Sequence, residues 1–277
     1  MNINLRSLIV LTMGSLFIAT PSMAANLISA YTFDEAAGDT AGDAVRGAAG
    51  DAALQGGVEW SSGYIGGGVS LDGVDDWLRA VNPIANGSQA MSFSGWVKAD
   101  SLPVWSSIVK NWGGAEAGQY HFGIQAGDGD LSNFLFNSDG AVNNIREGSS
   151  FATDVWTHVA FTFGNGKHKL FKDGAKIAEA DYSGALNFPT SQQNDGTGIL
   201  GLGVKTNDAG SAPDPGAPGF WDGSFDDFGF WDGELTEREV ATIHLNGTNG
   251  VSIVPEPNSL LLVLIGIAGL AQIRRKR

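Results

Sequence analysis

The sequence predicts an all-β sandwich of two antiparallel sheets with a short helix near its C-terminal end, and three observations carry that expectation. Glycine is abundant, with 40 in 277 residues, while only 17% of residues are charged, as suits a chain of many strands and tight turns. Apolar residues alternate with polar or small ones over Met91–Lys98 and Trp156–Phe163, the period of a strand with one face inward. Turn dipeptides follow the alternating runs at Asn165-Gly166 and Asp173-Gly174, where both residue types tolerate positive φ.

The ends of the chain read as processing signals. Residues 1–24 have a basic Arg6, an apolar run from Leu8 to Ala19, and Ser22-Met23-Ala24 as a small-x-small cleavage site, which predicts export. The apolar run is too short for a membrane-spanning helix. All 30 acidic residues lie within 25–257, whereas five of the 16 basic ones lie outside it. The body is therefore strongly acidic, which argues against nucleic acid or anionic lipid as partners. Absence of cysteine excludes disulfides, thiolate metal sites and a cysteine nucleophile.

In chain order, 25–33 predicts the first strand and 42–57 a long loop of small and polar residues. Val69–Leu71 and Trp77–Leu78 form a strand pair around Asp72, Asp75 and Asp76, which we read as turn chemistry. Met91–Lys98 is an inner strand, and 107–110, 120–124 and 133–137 are further strands, with 111–118 as an exposed loop. The hairpin at Asn165-Gly166 sets Ala160 opposite Phe171 and Phe161 opposite Leu170. Ile199–Gly203 is another strand, and 204–218 a loop rich in Gly, Pro and Asp. Phe225–Trp231 is the closing strand, with Asp226 expected on the face of Phe228 and Phe230. Thr236 with Glu239 makes a capping box that predicts a helix ending near Gly247, with Val240 and Ile243 inward and Leu245 packed at its end.

Several of these stretches resemble the laminin-G-like and pentraxin-like branch of the concanavalin A-like jelly rolls. The opening Asp34-Glu35-x-x-Gly38, the Gly66–Leu78 strand pair, Trp156-Thr157-His158-Val159, Leu170-Phe171-Lys172-Asp173-Gly174 and the Ile199–Gly203 strand all follow the family pattern. So do Gly223, Phe225, Asp226, Asp227, Phe228, Phe230, Trp231, Leu235, Thr236 and Glu239 in the closing strand and helix. The resemblance spans 27–249 and implies a concanavalin A-like jelly roll in 25–250. It also implies a structural calcium held by Asp226, with Asp34 near enough to join it; the alternative is that Asp226 only caps loop amides. Similarity to pentraxins, whose ligand-binding loops hold carboxylates and amides, implies a second calcium site in the ligand-binding loops at Glu116, Asn207 and Asp208.

The tail resembles a PEP-CTERM sorting signal. Pro255-Glu256-Pro257 is followed by the apolar stretch 260–271 and by Arg274-Arg275-Lys276-Arg277, so 251–277 predicts a sorting signal with a helical tail and short transmembrane segment. The resemblance implies an exosortase-type processing enzyme acting at Pro255–Pro257 and transient anchoring in the inner membrane of a Gram-negative bacterium. Delivery to the cell surface or extracellular matrix would follow.

For function, Trp105, Trp112, Tyr120 and Trp221 are candidates for stacking against sugar rings. The chain carries no Glu-x-Asp-x-x-Glu glucanase string, no Gly-x-Ser-x-Gly elbow and no histidine pair with metal-ligand spacing. The expectation is a noncatalytic module that binds a polysaccharide or surface glycan. A structural or adhesive matrix protein is the alternative, and a glycosidase is the least favoured reading.

Overall fold

The structure, a computed structural model, describes residues 25–113, 118–125, 127–189 and 198–254. The expected leader, the helical tail with its transmembrane segment, Pro255–Pro257 and Glu116 lie outside those residues.

Two antiparallel sheets of eight strands face each other. Sheet A runs in spatial order β14 (Ala175–Asp181), β13 (Lys167–Lys172), β12 (Thr157–Gly164), β7 (Met91–Ala99), β16 (Asp222–Trp231), β5 (Gly67–Asp72) and β4 (Glu59–Ser62), and β1 (Leu27–Tyr31) also pairs with β16. Sheet B runs β11 (Val142–Ser150), β10 (Asp130–Phe136), β9 (Tyr120–Ile124), β8 (Ser107–Lys110), β15 (Ile199–Leu202), β6 (Trp77–Val81), β3 (Ala52–Gln55) and β2 (Thr40–Ala41). The predicted hairpin has the predicted register, Ala160 opposite Phe171 and Phe161 opposite Leu170. The stretch 42–57 is not all loop, because β3 forms within it and pairs with β6. Its small residues fit close to the inner layer, and Ala52 is fully buried.

Inward-facing aromatics of both sheets meet in one core. Phe93 on β7 lies 5.6 Å from Phe122 on β9, and Phe122 lies 5.2 Å from Phe161 on β12. Phe225, Phe228 and Phe230 all join this core, fully buried. Strict alternation would not allow that, since Phe225 and Phe228 are an odd number of residues apart. A bulge resolves it: the register of β16 against β7 shifts between Asp226 and Gly229, and Asp227 takes φ 53. Asp226 is therefore not on the face of Phe228 and Phe230. It pairs with Trp96, on the outer side of sheet A, where it is nevertheless fully buried.

The helix α1 (Glu237–Thr248) starts at the predicted capping box, with Thr236 and Glu239 each bonding the other's backbone. It lies against the outer side of sheet A. Val240, Leu235, Trp231, Phe171 and Ala160 form a second, smaller apolar cluster there, with Ile243 packed against it. Leu245 is 58% exposed and does not pack, because it lies roughly 140° around the helix from Val240. Gly247 takes the inward place; a Cβ on it would fall 2.7 Å from Trp96 Nε1.

Candidate binding face and candidate metal centre

Asp226 and Asp34 meet at the turn that joins β4 to β5. Asp226 Oδ2 accepts from Ile65 N at 2.7 Å, and Asp34 Oδ1 accepts from Gly67 N at 2.6 Å. Any Cβ on Gly63 would strike Gly67 O and Asp226 Oδ2, so glycine is required for the turn to close over the carboxylate. Burial, together with the Asp227 and Asp34 charges, pushes Asp226 up to about 8. Amide capping accounts for one oxygen only, because Asp226 Oδ1 is buried without a hydrogen-bond partner among the described residues. A fully buried carboxylate with one orphaned oxygen and a second carboxylate beside it fits a hard cation such as calcium, which takes carboxylate and carbonyl oxygens. Asp226 and Asp34 are the residues that would hold it. Asp227 is engaged elsewhere: it accepts from Ile253 N at 2.9 Å and from Ser252 Oγ, and burial pushes it up to about 6.

The carboxylates of Asp72, Asp75 and Asp76 also converge. Two of them are engaged by backbone amides, Asp72 accepting from Val74 N at 2.8 Å and Asp76 from the amides of Gly57 and Asp72, which accords with turn chemistry.

The outer face of sheet B is different in kind. Lys110 on β8 pairs with His121 on β9, His121 with Phe134 on β10, and Phe134 with Asn144 on β11, so these four form one row across the sheet. Phe134 is stacked on His121 at 15° with centroids 5.8 Å apart. Trp105 lies 5.8 Å from Phe134, Trp112 stands at 90° to it at 6.3 Å, and Trp112 is 5.9 Å from Phe136. None of Trp105, Trp112, Phe134 and Phe136 belongs to either apolar core. Trp105 is 38% exposed and takes φ 63, in the left-handed region that bulky residues seldom occupy. Lys110 Nζ sits 5.2 Å from the centre of the Trp112 ring and 3.4 Å from His121 Nδ1. Burial lowers the Lys110 pKa to about 7, helped by the nearby Lys205, and holds His121 well below its usual value.

The expected exposed loop 111–118 is instead packed down at its described ends: Asn111, Gly113 and Gly118 are buried, and Trp112 is half-buried on this face, where its ring meets Phe134 and Phe136. Asp208 comes next to it, since a Cβ on Gly113 would lie 2.5 Å from Asp208 Oδ1. Asn207 shares that loop, and its side chain closes the loop on Ser211, accepting from the Ser211 amide at 3.0 Å. Tyr120 and Trp221 are corrected: both are fully buried in the main core and present no ring to a ligand. Tyr120 points inward because it alternates with outward His121, and its hydroxyl donates to Asn82 Oδ1 at 2.7 Å. Trp221 packs on Phe225 at 5.5 Å, at the entry to β16. Sequence reasoning missed Phe134, Phe136, His121 and Lys110 as a group. The signal was in the alternation of 120–124 and 133–137, which leaves His121, Phe134 and Phe136 on the face opposite Tyr120, Phe122 and Leu135.

The sandwich, its capped helix and its motifs define a class. The family model for the concanavalin A-like lectin/glucanases superfamily matches residues 72–241, and the chain belongs to that family. Comparison with curated proteins returns no match. Among solved structures, the chain is similar to domain 4 of AbnA, a GH43 extracellular arabinanase from Geobacillus stearothermophilus, in complex with arabinotriose: 20% identity, TM-score 0.59, 79% of this chain and 98% of that one. It is also similar to the binding domain of Paraclostridial Mosquitocidal Protein 1, at 14% identity and TM-score 0.58, covering 79% of this chain and 52% of that one. A third is the botulinum neurotoxin serotype D ligand-binding domain in complex with N-acetylneuraminic acid, at 13% identity and TM-score 0.55, covering 79% and 50%. The chain thus spans about half of the two toxin domains, and at these identities the likeness is one of fold.

Proposed function

We propose that this protein is an exported, surface-sorted, noncatalytic binding module that holds a polysaccharide of the extracellular layer on the outer face of sheet B. The observation that carries the reading is the group of four aromatics on that face, Trp105, Trp112, Phe134 and Phe136, outside both apolar cores. Flat rings beside polar groups on a sheet face suit sugar rings, which offer apolar C–H patches and hydroxyls together. The side chains around Phe134 are aromatic, imidazole and ammonium. Hydrolysis of a glycosidic bond would instead call for two carboxylates flanking it. The saccharides named with two of the similar structures, arabinotriose and N-acetylneuraminic acid, support a sugar as ligand.

A groove of about 500 Å³ beside α1, lined by Leu27, Trp231, Ile243 and Ile253 among others, is roomier than a shallow sheet face. Its apolar side continues the second cluster, and its one aromatic ring, Trp231, is only 6% exposed, so it offers a sugar little ring face.

Export rests on residues 1–24, and surface sorting on Pro255-Glu256-Pro257 with an exosortase-type partner and a membrane stage before processing. The bonds from Ser252 and Ile253 to Asp227 support placing the end of the folded body just ahead of that signal. Calcium, bound by Asp226 and Asp34, would supply countercharge to a buried carboxylate and act structurally. Glycan-array binding of the full chain tests the central claim. Retention of at least one saccharide, lost in Trp105→Ala, is the expected result; no saccharide retained with or without calcium overturns it.

A further inference from the structure

The outer face of sheet B carries a charge pattern that a neutral sugar does not call for. The chain has 30 acidic residues against 16 basic ones, yet the polar centre of this face is a lysine. Lys110 is only 7% exposed, and no carboxylate lies within 4.0 Å of its ammonium among the described residues. The ammonium has three donors to place. One faces His121 Nδ1 at 3.4 Å, and the Trp112 ring offers its face at 5.2 Å. Lys205, from the loop 204–218, is close enough to repel Lys110, and its own partner Asp214 is 3.4 Å away. Asp214 is thus spent on Lys205, and Lys110 is left without a paired carboxylate among the described residues. Burying a cation without countercharge is unfavourable. An anionic group delivered by a ligand would complete the set.

The surrounding rings fix where that ligand would lie. The row Lys110, His121, Phe134, Asn144 runs across the sheet, with Trp105 beside Phe134 and Trp112 over the Lys110 end. A ring placed against Phe134 and Trp105 has Lys110 two strands away along the row, about 10 Å at the usual strand spacing.

We propose that this face binds an acidic saccharide, its sugar ring against Trp105 and Phe134 and its carboxylate paired with Lys110 and Lys205. The proposal rests on the polysaccharide-binding reading and narrows it to uronate-type sugars. Linkage adds a second signature. A carboxylate beside Lys110 favours its charged form, so affinity is flat below pH 7 and falls as pH rises above it. The charged or titratable groups facing Lys110 are His121 on β9 and Lys205, Asp208 and Asp214 on the 204–218 loop. Burial and Lys110 keep His121 neutral in this range.

The test uses the full chain, oligogalacturonate, and the same oligomer with its carboxylates reduced to alcohols, followed by calorimetric titration from pH 6 to 9. The acidic oligomer is expected to bind. Carboxyl reduction or Lys110→Met is expected to weaken binding by roughly tenfold or more, the scale of one charge-assisted hydrogen bond. Lys110→Met is also expected to abolish the fall above pH 7, and Trp105→Ala to weaken binding of both oligomers. Methionine keeps the buried length of the side chain, and circular dichroism of the variant verifies the fold. Equal binding of the acidic and reduced oligomers, or an unaffected Lys110→Met, overturns the acidic assignment while leaving a saccharide site. Binding of neither oligomer, with a neutral glycan retained elsewhere, also overturns it. Retention of no saccharide at all overturns the broader reading as well.

Discussion

The two outer faces of the sandwich start from similar side chains and end differently. On sheet A, Trp96 is stacked with Tyr64 at 3.6 Å and lies 5.2 Å from His158. On sheet B, Phe134 is stacked with His121 at 5.8 Å. Sheet A is roofed by α1, whose Val240 and Gly247 are buried against it, and by the strand end at Trp231. Phe171 and Trp231 there belong to a second core, and Trp96, though outside it, is covered by the end of α1 at Gly247. Sheet B has no helix over it among the described residues, and Trp105 stands 38% exposed in a left-handed conformation that costs roughly 1–2 kcal/mol in a bulky residue. An aromatic on an outer face is thus not a binding signal by itself. What separates the two faces is whether the chain itself supplies the covering apolar surface.

The largest expected effect breaks this contrast if it fails. Trp96→Ala removes a ring that is 3% exposed and wedged between Tyr64 and Gly247, so it should cost about 3–5 kcal/mol in urea unfolding. Trp105→Ala should cost under about 1 kcal/mol, because its ring is partly in water, while removing saccharide binding. Equal destabilisation by the two would mean that the sheet B aromatics are a core in their own right.

How far each face could be read from sequence follows from the same difference. Trp156–Gly174 gave its register outright, because two turn dipeptides and a clean alternation leave one pairing. The capping box at Thr236 and Glu239 likewise fixed the start of α1. The bulge at Asp227 was not legible, since a single inserted residue leaves no mark in composition and yet moves Asp226 to the other side of the sheet. Strand β11 was missed because Val142–Ser150 is an exposed edge with only Ile145 buried. Of the sugar-binding candidates, Trp105 and Trp112 keep part of their rings at the surface, whereas Tyr120 and Trp221 turn inward, because a lone aromatic in a half-read strand can face either way. The Lys110–His121 pairing needed the β8–β9 register, which itself contains an irregularity between Ser107 and Val109.

A second expected effect sharpens the contrast by testing what else holds the roofed face. Asp226 lies under the β4–β5 turn on the sheet A side, and its carboxyl is pushed up to about 8 by burial. Such a group keeps a proton in the folded state that the unfolded chain has released. Without metal its contribution is therefore full below about pH 4 and is lost as pH rises toward 8. Calcium would replace the proton and remove that loss, stabilising by about 2.7 kcal/mol at roughly a hundredfold excess over Kd. Melting curves from pH 5 to 8 should diverge between chelator and calcium, most at the alkaline end, and Asp226→Asn should not show the divergence. Superimposable curves would leave Asp226 as an amide cap alone.

The smallest effect has the opposite sign in pH and belongs to the roof itself. His158 is fully buried on β12, with Nε2 2.8 Å from Ser94 Oγ and Nδ1 without a hydrogen-bond partner among the described residues. Burial, with the His244 ring of α1 lying 5.5 Å away, lowers its pKa to about 3. The unfolded chain takes up a proton near pH 6.5 that the folded protein refuses, so this contribution is full above 6.5 and drains away as pH falls toward 3. Between pH 7 and 5 the loss should reach about 2 kcal/mol, since each unit below the unfolded pKa is worth about 1.36 kcal/mol. Calcium present throughout keeps Asp226 from contributing with its contrary sign. His158→Gln, which cannot titrate, should remove its share and make the slope of stability against pH shallower, the rest being supplied in the same direction by buried His168 and His121, whereas Phe136→Ala on the open face should leave that slope unchanged. If both variants flatten it, the two faces do not melt as separate environments, and the roof formed by α1 is no more than a lid over a sandwich that responds as one body.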